Sequence, residues 1–413
     1  MVQIAVMGHG VVGSGVVELL SSHKDSLASR AREEIRVKYI LDLRDFPDSP
    51  FADRFTKDFS VILNDPEVKI VVEVMGGLKP AYEYVKKCLE AGKSVVTSNK
   101  ELVAAKGADL LKTAENHNVN FLFEASVGGG IPIIRPLSQC LAANEVCQIA
   151  GILNGTTNFI LTKMIRDEMS FEDALALAQK LGYAERNPAA DVEGHDACRK
   201  ICILASLAFG KHVYPEQVHT EGITKITLAD VAYANSMDCV IKLIGYTKPM
   251  DDHKIIAMVA PFFVSKASQL SNVDDVFNAI MVSGDATGDV LFYGKGAGKM
   301  PTASAVVADV IDCVKHLEAR KYLGWNDGSP DYVADYREVE TQMYYRVSSK
   351  PEALCEKLRN LYGDVQVLSR DHASKDEFAF VTPCKKEQEL LLKEEELKAN
   401  GVQILNKIRI GCF

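Results

Sequence analysis

The feature that most constrains the fold is a glycine-rich turn near the amino terminus. An apolar run at residues 2–7, VQIAVM, leads into GHGVVG at residues 8–13, and a helical pattern follows. Glycines at this spacing allow a tight turn, close approach of the backbone to a diphosphate, and close packing of helix on strand. An ordinary βα turn is the alternative. We predict that a dinucleotide binds here, at Gly8, Gly10, Val11, Val12 and Gly13.

The first 130 residues alternate short β-branched runs with helical segments, which predicts a parallel sheet with crossover helices. The predicted strands cover residues 2–7, 36–41, 70–74, 94–97 and 119–123, and helices at 80–90 and 101–116 lie between them. Three glycines at 128–130 end the alternation. The fold class is therefore α/β, with a Rossmann-type domain over residues 1–130.

Two further units are predicted. Residues 131–299 combine strands at 145–153 and 254–264 with helices at 157–166, 171–181 and 196–209, which indicates an α+β substrate and dimerisation domain. A helix at 302–317 is expected to return to the first domain, so that residues 300–335 complete it. From 336 to 413 the order is strand, helix, strand, strand, helix, strand, the βαββαβ ferredoxin-like arrangement.

Composition favours a small-molecule enzyme of the cytoplasm. The chain has 413 residues, a net charge of −9 and no basic run, which argues against a nucleic-acid partner. No stretch approaches the ~20 apolar residues of a membrane span, and no signal peptide is evident. Ten cysteines without a C-x-x-C pair indicate reduced thiols. His195, Cys198 and Cys202 share a helix face, but the apolar run around the cysteines favours simple burial over zinc binding.

The sequence leaves the choice between NAD and NADP open. Asp42 follows the second predicted strand and could accept from a ribose hydroxyl, but it comes 29 positions after Gly13 (42 − 13) rather than the usual ~20. A helix or loop inserted at residues 21–34 explains the delay. Arg44, two residues on, could instead meet a 2′-phosphate, with help from Lys57.

Polar residues also follow the fourth predicted strand. Thr97 and Ser98 lead to Lys100 at the carboxyl edge of the sheet, where ligands of such folds bind. Farther along, Asp196 and Lys200 are four apart, so they share one face of a helix. On spacing alone, Asp196 and Lys200 are most simply a surface ion pair.

A longer segment is more specific. Residues 182–200, GYAERNPAADVEGHDACRK, closely resemble the signature of homoserine dehydrogenases. The matching positions are Gly182, Glu185, Pro188, Asp191, Gly194, Asp196 and Lys200. The runs VEVMGG (72–77), LNGTTN (153–158), EGI (221–223) and IKL (241–243) are also similar to that family, and the resemblance covers residues 1–335. It implies reversible NAD(P)H-dependent reduction of L-aspartate 4-semialdehyde to L-homoserine, in threonine, methionine and isoleucine biosynthesis, by a homodimer.

The resemblance also implies roles for single residues. Hydride delivery to an aldehyde builds negative charge on oxygen, so a proton donor or cation is needed there. Lys200 and Lys100 are the implied catalytic residues, and the sequence leaves open which of them moves the proton. Glu185 is expected to bind the substrate ammonium, with Asp196 contacting the substrate and Asp191 supporting the site. The implied cofactor contacts beyond the glycine turn are Arg44, Met75, Gly76, Thr97, Ser98, Lys100, Gly182, Gly296 and Ala297.

A monovalent cation site is implied as well. The loop at 124–131, EASVGGGI, resembles the family's site for Na⁺, in which the ligands are mostly main-chain carbonyls. The residues carried over are Glu124, Val127, Gly129 and Ile131. A plain glycine-rich hinge is the alternative.

The carboxy-terminal unit looks like an ACT domain, but residues 348–353, SSKPEA, lack the glycine that lets an amino acid approach the backbone. This favours subunit pairing over threonine binding. Two other functions are alternatives. A semialdehyde dehydrogenase needs a nucleophilic cysteine beside a base, which the surroundings of Cys140 and Cys147 do not offer. An inactive dinucleotide sensor would not need the implied lysines and carboxylates together.

Overall fold

The computed structural model describes residues 1–349 and 351–413. The first sheet has six strands, all parallel, in the order β3-β2-β1-β4-β5-β6. In chain order they are β1 (Val2–Met7), β2 (Ile35–Leu41), β3 (Phe55–Thr56), β4 (Val68–Glu73), β5 (Ser94–Thr97) and β6 (Phe121–Leu122). This is the Rossmann strand order, with the ligand crevice expected where the order reverses, between β1 and β4. The predicted parallel sheet is confirmed, and β3 is an additional strand.

The helices of this sheet are α1 (Val11–Ser22), α2 (Lys24–Ala31), α3 (Phe59–Asn64), α4 (Ala81–Glu90) and α5 (Lys100–Asn116). Helix α2 lies in the interval where an insertion was predicted, and it accounts for the late position of Asp42.

The middle of the chain supplies strands of a second, mixed sheet, helices that cover this sheet, and helix α11. Its elements are β7 (Val146–Ile152), α6 (Gly155–Arg166), α7 (Phe171–Lys180), α8 (Ala189–Val192), α9 (His195–Phe209), β8 (His219–Thr220), α10 (Leu228–Ser236), β9 (Cys239–Pro249), β10 (Ile255–Ser265), β11 (Phe277–Gly284), β12 (Gly288–Lys295) and α11 (Lys299–Lys315). The sequence pattern missed β9, β11 and β12.

Helix α11 packs on the first sheet. A Cβ atom added to Gly15 of α1 would lie 3.1 Å from Cβ of Ala303, so the two helices are in close contact. Val16 and Val17 share an apolar core with Val306 and Val310. The chain therefore returns to the cofactor-binding sheet after residue 299.

The carboxy-terminal elements are β13 (Glu340–Ser348), α12 (Pro351–Tyr362), β14 (Gln366–Leu368), β15 (Glu377–Val381), β16 (Lys385–Lys386), α13 (Glu387–Ala399) and β17 (Gln403–Gly411). The second sheet combines strands of the middle of the chain with strands of this region. Its strand order is β12-β11-β7-β9-β10-β17-β13-β15-β14. Strand β17 pairs in parallel with β10, with Arg409 opposite Phe262. The sheet is therefore continuous across the domain boundary that is predicted at residue 336. Lys350, in the segment compared with ACT domains, lies outside the described residues.

No helix in the described part of the chain has both the length and the apolar character needed to cross a membrane.

Candidate active site

The turn at residues 8–13 has the geometry that its glycines predict. Gly8 has φ +100°, and a Cβ atom there would lie 3.0 Å from the main-chain oxygen of Val74. A Cβ atom on Gly13 would lie 1.9 Å from the oxygen of Gly8, so glycine is required for α1 to pack this closely. A Cβ atom on Gly10 meets nothing within 4 Å. The open side of Gly10, at the N-terminus of α1, fits a dinucleotide diphosphate.

A buried carboxylate holds the adjoining loop. Glu73, at the end of β4, accepts hydrogen bonds from the main-chain N–H groups of Met75 (2.8 Å) and Gly76 (3.3 Å) and from Oγ1 of Thr97 (2.6 Å). Burial raises the pKa of Glu73, against the effect of these hydrogen bonds. The predicted cofactor residues Met75, Gly76 and Thr97 are thus joined at one edge of the sheet, beside Ser98, whose N–H donates to the Glu73 main-chain oxygen at 3.4 Å.

Asp42 and Arg44 form one unit at the end of β2. Nε and Nη2 of Arg44 each donate to the Asp42 carboxylate at 2.9 Å, and the N–H of His9 donates to Oδ2 at 2.8 Å. The hydrogen bond from the Arg44 side chain is the main cause that lowers the pKa of Asp42. The Asp42 side chain is 10% exposed and the Arg44 side chain 62%. The carboxylate fixes the turn, and the guanidinium faces solvent beside it.

The two predicted catalytic lysines meet at one carboxylate. Nζ of Lys200 lies 2.9 Å from Oδ2 of Asp196, and Lys100, the first residue of α5, forms an ion pair with Oδ1. Lys200 also donates to the main-chain oxygen of Leu153 at 2.7 Å. The contact joins the Rossmann-type sheet to helix α9 across the cleft. It is the point at which a predicted cofactor residue, Lys100, meets the predicted substrate residue Asp196.

Burial and neighbouring charges together set the pKa values of this group. Asp196 and Lys200 have side chains only 5% and 8% exposed. Although burial opposes its charge, the two ammonium groups lower the pKa of Asp196 well below its ordinary value. Burial lowers the pKa of Lys200, against the attraction of Asp196. A lysine whose proton is loosened in this way is suited to transfer it.

Asn154 was missed by the sequence analysis as a site residue. It is the N-cap of α6, and its Nδ2 donates to Oδ1 of Asp191 at 2.7 Å and to Oδ2 of Asp196 at 2.9 Å. Burial raises the pKa of Asp191. The available signal was its place in the LNGTTN run, but its double contact depends on residues about 40 positions away. Asn154 thus couples the two carboxylates.

Glu185 lies in the loop between α7 and α8. Its side chain is exposed, and its carboxylate has no hydrogen-bond or ion-pair partner among the described residues. The loop is attached to α6 because Oγ1 of Thr156 donates to the main-chain oxygen of Tyr183 at 2.7 Å. Gly182, with φ +77°, faces open space in the same loop. This leaves a free carboxylate on a loop fastened beside Asn154.

The two glycine loops pack against each other. The N–H of Gly130 donates to the main-chain oxygen of Lys295 at 3.1 Å, and a Cβ atom on Gly129 would lie 2.2 Å from the oxygen of Gly296. Gly296 is buried and Ala297 exposed. The predicted cation loop and the predicted nicotinamide loop are therefore neighbours.

The predicted cation loop has main-chain oxygens that accept no hydrogen bond from the described part of the chain. Among the described residues, those of Val127, Gly129 and Ile131 accept no hydrogen bond, which fits a hard cation. The Glu124 carboxylate is occupied, since it accepts from the N–H of Ile133 at 2.6 Å and from Arg135. The ligand atom that the resemblance implies for Glu124 is its main-chain oxygen.

Zinc binding at residues 195–202 finds no support. Within residues 1–349 and 351–413, no group of three or more His, Cys, Asp or Glu side chains could hold a metal ion. Cys198 and Cys202 are buried free thiols, and His195 contacts Glu193 at 3.1 Å.

Comparison with known proteins identifies the family. A family model described as "Homoserine dehydrogenase" matches residues 132–311, and one described as "Homoserine dehydrogenase, NAD binding domain" matches residues 8–124. The homoserine dehydrogenase of Synechocystis sp. is 44% identical over 321 residues, which cover 76% of this chain and 73% of the relative. The chain belongs to the homoserine dehydrogenase family.

Two solved structures extend the comparison. The crystal structure of a homoserine dehydrogenase from Thiobacillus denitrificans has a TM-score of 0.90 at 35% identity and covers 99% of this chain and 98% of that one. A hyperthermophilic archaeal homoserine dehydrogenase mutant in complex with NADPH has a TM-score of 0.65 at 27% identity, covering 76% of this chain and 97% of that one.

The protein is thus an oxidoreductase that interconverts L-homoserine and L-aspartate 4-semialdehyde with a nicotinamide cofactor, and it serves amino-acid biosynthesis. The predicted family, reaction and cofactor class are confirmed. Both alternative functions are set aside.

Proposed function

We propose that Lys200 is the residue that moves the proton in homoserine dehydrogenase catalysis, and that Lys100 and Asp196 hold the reacting oxygen and Lys200 in place. The observation that carries this proposal is the buried contact of both lysines with Asp196. Lys200 is the better proton carrier because burial lowers its pKa, while the side chain of Lys100 is 42% exposed.

The proposed steps of proton transfer follow from the charges of Lys200 and Asp196. A bound nicotinamide supplies hydride for reduction and takes it for oxidation. In reduction, the ammonium of Lys200 donates a proton to the aldehyde oxygen as negative charge develops there. In oxidation, neutral Lys200 accepts the hydroxyl proton of homoserine. Asp196 keeps its negative charge throughout and fixes both lysines.

The amino-acid end of the substrate is assigned to Glu185. Its free carboxylate can pair with the substrate α-ammonium, an interaction that a charged donor and acceptor make strong. Asp196 contacts the substrate, and Asp191 supports it through Asn154. The Thr156–Tyr183 contact supports this assignment, because it fastens the loop of Glu185 beside Asn154.

We assign the cofactor contacts to the residues around the glycine turn and the Glu73 loop, with Gly182, Gly296 and Ala297 on the opposite side. NADP(H) is the preferred cofactor in this proposal, and NAD(H) the second. Its support is that Arg44 covers Asp42, so a 2′-phosphate finds an exposed guanidinium and a ribose hydroxyl finds no free carboxylate. The NADPH complex of the archaeal relative is consistent with this choice.

Na⁺ is proposed to bind the main-chain oxygens of Glu124, Val127, Gly129 and Ile131. Because this loop touches the loop of Gly296, the cation would stiffen one wall of the cofactor cleft.

The remaining assignments concern the whole chain. We propose cofactor, substrate and ACT-like units with the boundaries predicted above, the last one pairing subunits. A homodimer through the middle unit is favoured by the edge strand β12, where Leu291 and Tyr293 are exposed. Cytoplasmic location suits the buried free thiols of Cys88, Cys198, Cys202, Cys239 and Cys313.

Lys200→Met tests the proposal. We expect its kcat for homoserine oxidation to fall by about 10²–10⁴-fold, the usual contribution of general acid–base catalysis. Lys93→Met is the matched control, because Lys93 is another buried lysine. It donates to the main-chain oxygens of Asp65 and Val68, and it lies at the amino end of β5, away from the carboxyl ends of the strands. If Lys200→Met kept kcat within a few-fold of wild type while folded, Lys200 would not be the proton carrier.

A further inference from the structure

A buried arginine of the last strand reaches toward the substrate site. Arg409 of β17 is 4% exposed and binds Glu387 of α13 through Nε (2.8 Å) and Nη2 (2.6 Å). Nη2 also donates to Oε1 of Glu221 at 2.8 Å. Glu221 lies in the middle unit, directly after β8. One guanidinium thus links the carboxy-terminal unit to the EGI run at residues 221–223.

Glu221 is held from two sides. Nε2 of His219 lies 2.6 Å from the same Oε1 atom, and the His219 ring stacks on Tyr336 with centroids 3.5 Å apart. Although burial opposes its charge, His219 and Arg409 lower the pKa of Glu221 well below its ordinary value. Its N–H donates to the oxygen of Val259 at 2.7 Å. The side chain and main chain of Glu221 are therefore both fixed.

The segment that follows Glu221 packs on the substrate segment with no intervening side chain. The N–H of Ile223 donates to the oxygen of Val192 at 2.8 Å. A Cβ atom on Gly222 would lie 2.1 Å from that oxygen, and one on Gly194, with φ +85°, would lie 3.2 Å from the oxygen of Glu221. A shift of Glu221 must therefore move residues 192–194.

Those residues connect the proposed substrate carboxylates. Val192 ends α8, which carries Asp191, and Gly194 is the N-cap of α9, which carries Asp196 and Lys200. Asn154 bonds both carboxylates at once, so a relative displacement of α8 and α9 breaks one of its two hydrogen bonds. The path from Arg409 to Asp191 and Asp196 consists only of direct contacts.

We propose that Arg409 is a positioning residue for the substrate site: through Glu221 it sets residues 192–194 and so the spacing of Asp191 and Asp196. The proposal rests on the roles given to these carboxylates above. It assigns the carboxy-terminal unit a part in catalysis that requires no effector.

If Arg409 only stabilised the fold, its replacement should have the same kinetic effect as the replacement of another anchor of the carboxy-terminal unit. The same unit is anchored elsewhere by Arg346, whose Nε donates to the fully buried Asp230 at 2.9 Å. None of the described contacts of Arg346 involves residues 219–223. Arg346→Met therefore loosens the unit without touching Glu221, and it is the matched control for Arg409→Met.

The experiment measures KM for homoserine, KM for the cofactor, kcat and the unfolding midpoint of the full-length variants. For Arg409→Met we expect kcat/KM for homoserine to fall on the order of tenfold or more, because small misplacements of binding groups cost this much or more. The KM for the cofactor should stay near the wild-type value. Arg409→Lys should restore part of the loss, and Arg346→Met should lower the unfolding midpoint alone.

Glu221→Gln keeps the shape of the side chain and tests the same path if Arg409→Met does not fold. It should reduce kcat/KM for homoserine in the same direction, and the double variant should lose less than the sum of both single losses. The proposal is overturned if Arg409→Met and Arg346→Met have the same kinetics, or if Glu221→Gln leaves kcat/KM for homoserine unchanged. Wild-type protein without homoserine turnover would instead refute the proposed function.

Discussion

The Nζ atom of Lys200 lies 2.9 Å from Oδ2 of Asp196, one helical turn earlier on α9. Spacing alone suggested a surface ion pair of small energetic value. The structure contradicts that interpretation, because both side chains are buried and Lys100, at the start of α5, contacts the same carboxylate. Two lysines therefore surround one buried carboxylate, the arrangement on which the proposed proton transfer rests.

The activity should depend on pH through Lys200. Burial lowers the pKa of Lys200 below the ordinary lysine value of 10.5. Oxidation needs the neutral amine, so kcat/KM for homoserine should rise with pH, and the rise should be centred below 10.5. Reduction needs the ammonium, so kcat/KM for the semialdehyde should fall over the same interval. The pH profiles in both directions check this, with Lys93→Met expected to keep them. A profile in Lys200→Met that matched wild type would contradict the assignment.

Asp196→Asn should shift that profile. The negative charge of Asp196 raises the pKa of Lys200 against burial, so its removal lowers this pKa further. The rise of homoserine oxidation should then move to lower pH, and the unfolding free energy should fall by about 3–5 kcal/mol, as is usual when one partner of a buried ion pair is lost. Asp312→Asn, which removes one partner of the ion pair between Asp312 and Lys321 at 2.9 Å, is the control. An unchanged pH profile in Asp196→Asn would rule out this coupling.

Alanine substitutions at Gly13 and Gly10 should have different effects, the first on stability and the second on cofactor binding. A Cβ atom on Gly13 would collide with the oxygen of Gly8, so Gly13→Ala should lower the unfolding free energy by about 1–3 kcal/mol, the cost of overpacking. Gly10→Ala meets open space and should leave unfolding nearly unchanged while raising the KM for the cofactor. Thermal unfolding and cofactor titration measure the two effects. Equal effects of both variants on both quantities would contradict the proposed location of the diphosphate.

Cofactor preference should depend on Arg44. Arg44→Ser removes the guanidinium proposed to bind the 2′-phosphate, and a hydrogen bond to a charged group contributes about 1.5–3 kcal/mol, or roughly ten- to hundredfold in affinity. We expect KM for NADP⁺ to rise by that amount and KM for NAD⁺ to change little. Arg36→Ser, near the opposite end of β2, should alter neither. A parallel rise for both cofactors would reject phosphate recognition by Arg44.

Local patterns predicted much of the first sheet and of helix α9. The glycine turn, the β-branched runs and the four-residue spacing of Asp196 and Lys200 are all determined by near neighbours in sequence. The strands β9 and β12 were missed because their local patterns are not typical of strands. Lys242 and Gly245 interrupt the apolar run of β9, and β12 is an exposed edge strand.

Long-range contacts could not be predicted from pattern. The ion pair of Lys100 with Asp196 spans 96 positions (196 − 100) and depends on how two sheets face each other. The pairing of Phe262 with Arg409, which joins the carboxy-terminal strands to the middle sheet, spans 147 positions (409 − 262). Even a motif residue such as Asn154 shows its role only once Asp191 and Asp196 lie beside it.

The most direct test of the account is reduction of L-aspartate 4-semialdehyde by the wild-type protein with NADPH and, separately, NADH. Loss of the reduced cofactor should depend on the semialdehyde, and chiral analysis with mass spectrometry should find L-homoserine formed in equal amount. The reverse reaction should proceed with L-homoserine and not with its D-enantiomer. No semialdehyde-dependent oxidation of either cofactor, or a product other than homoserine, would contradict the account.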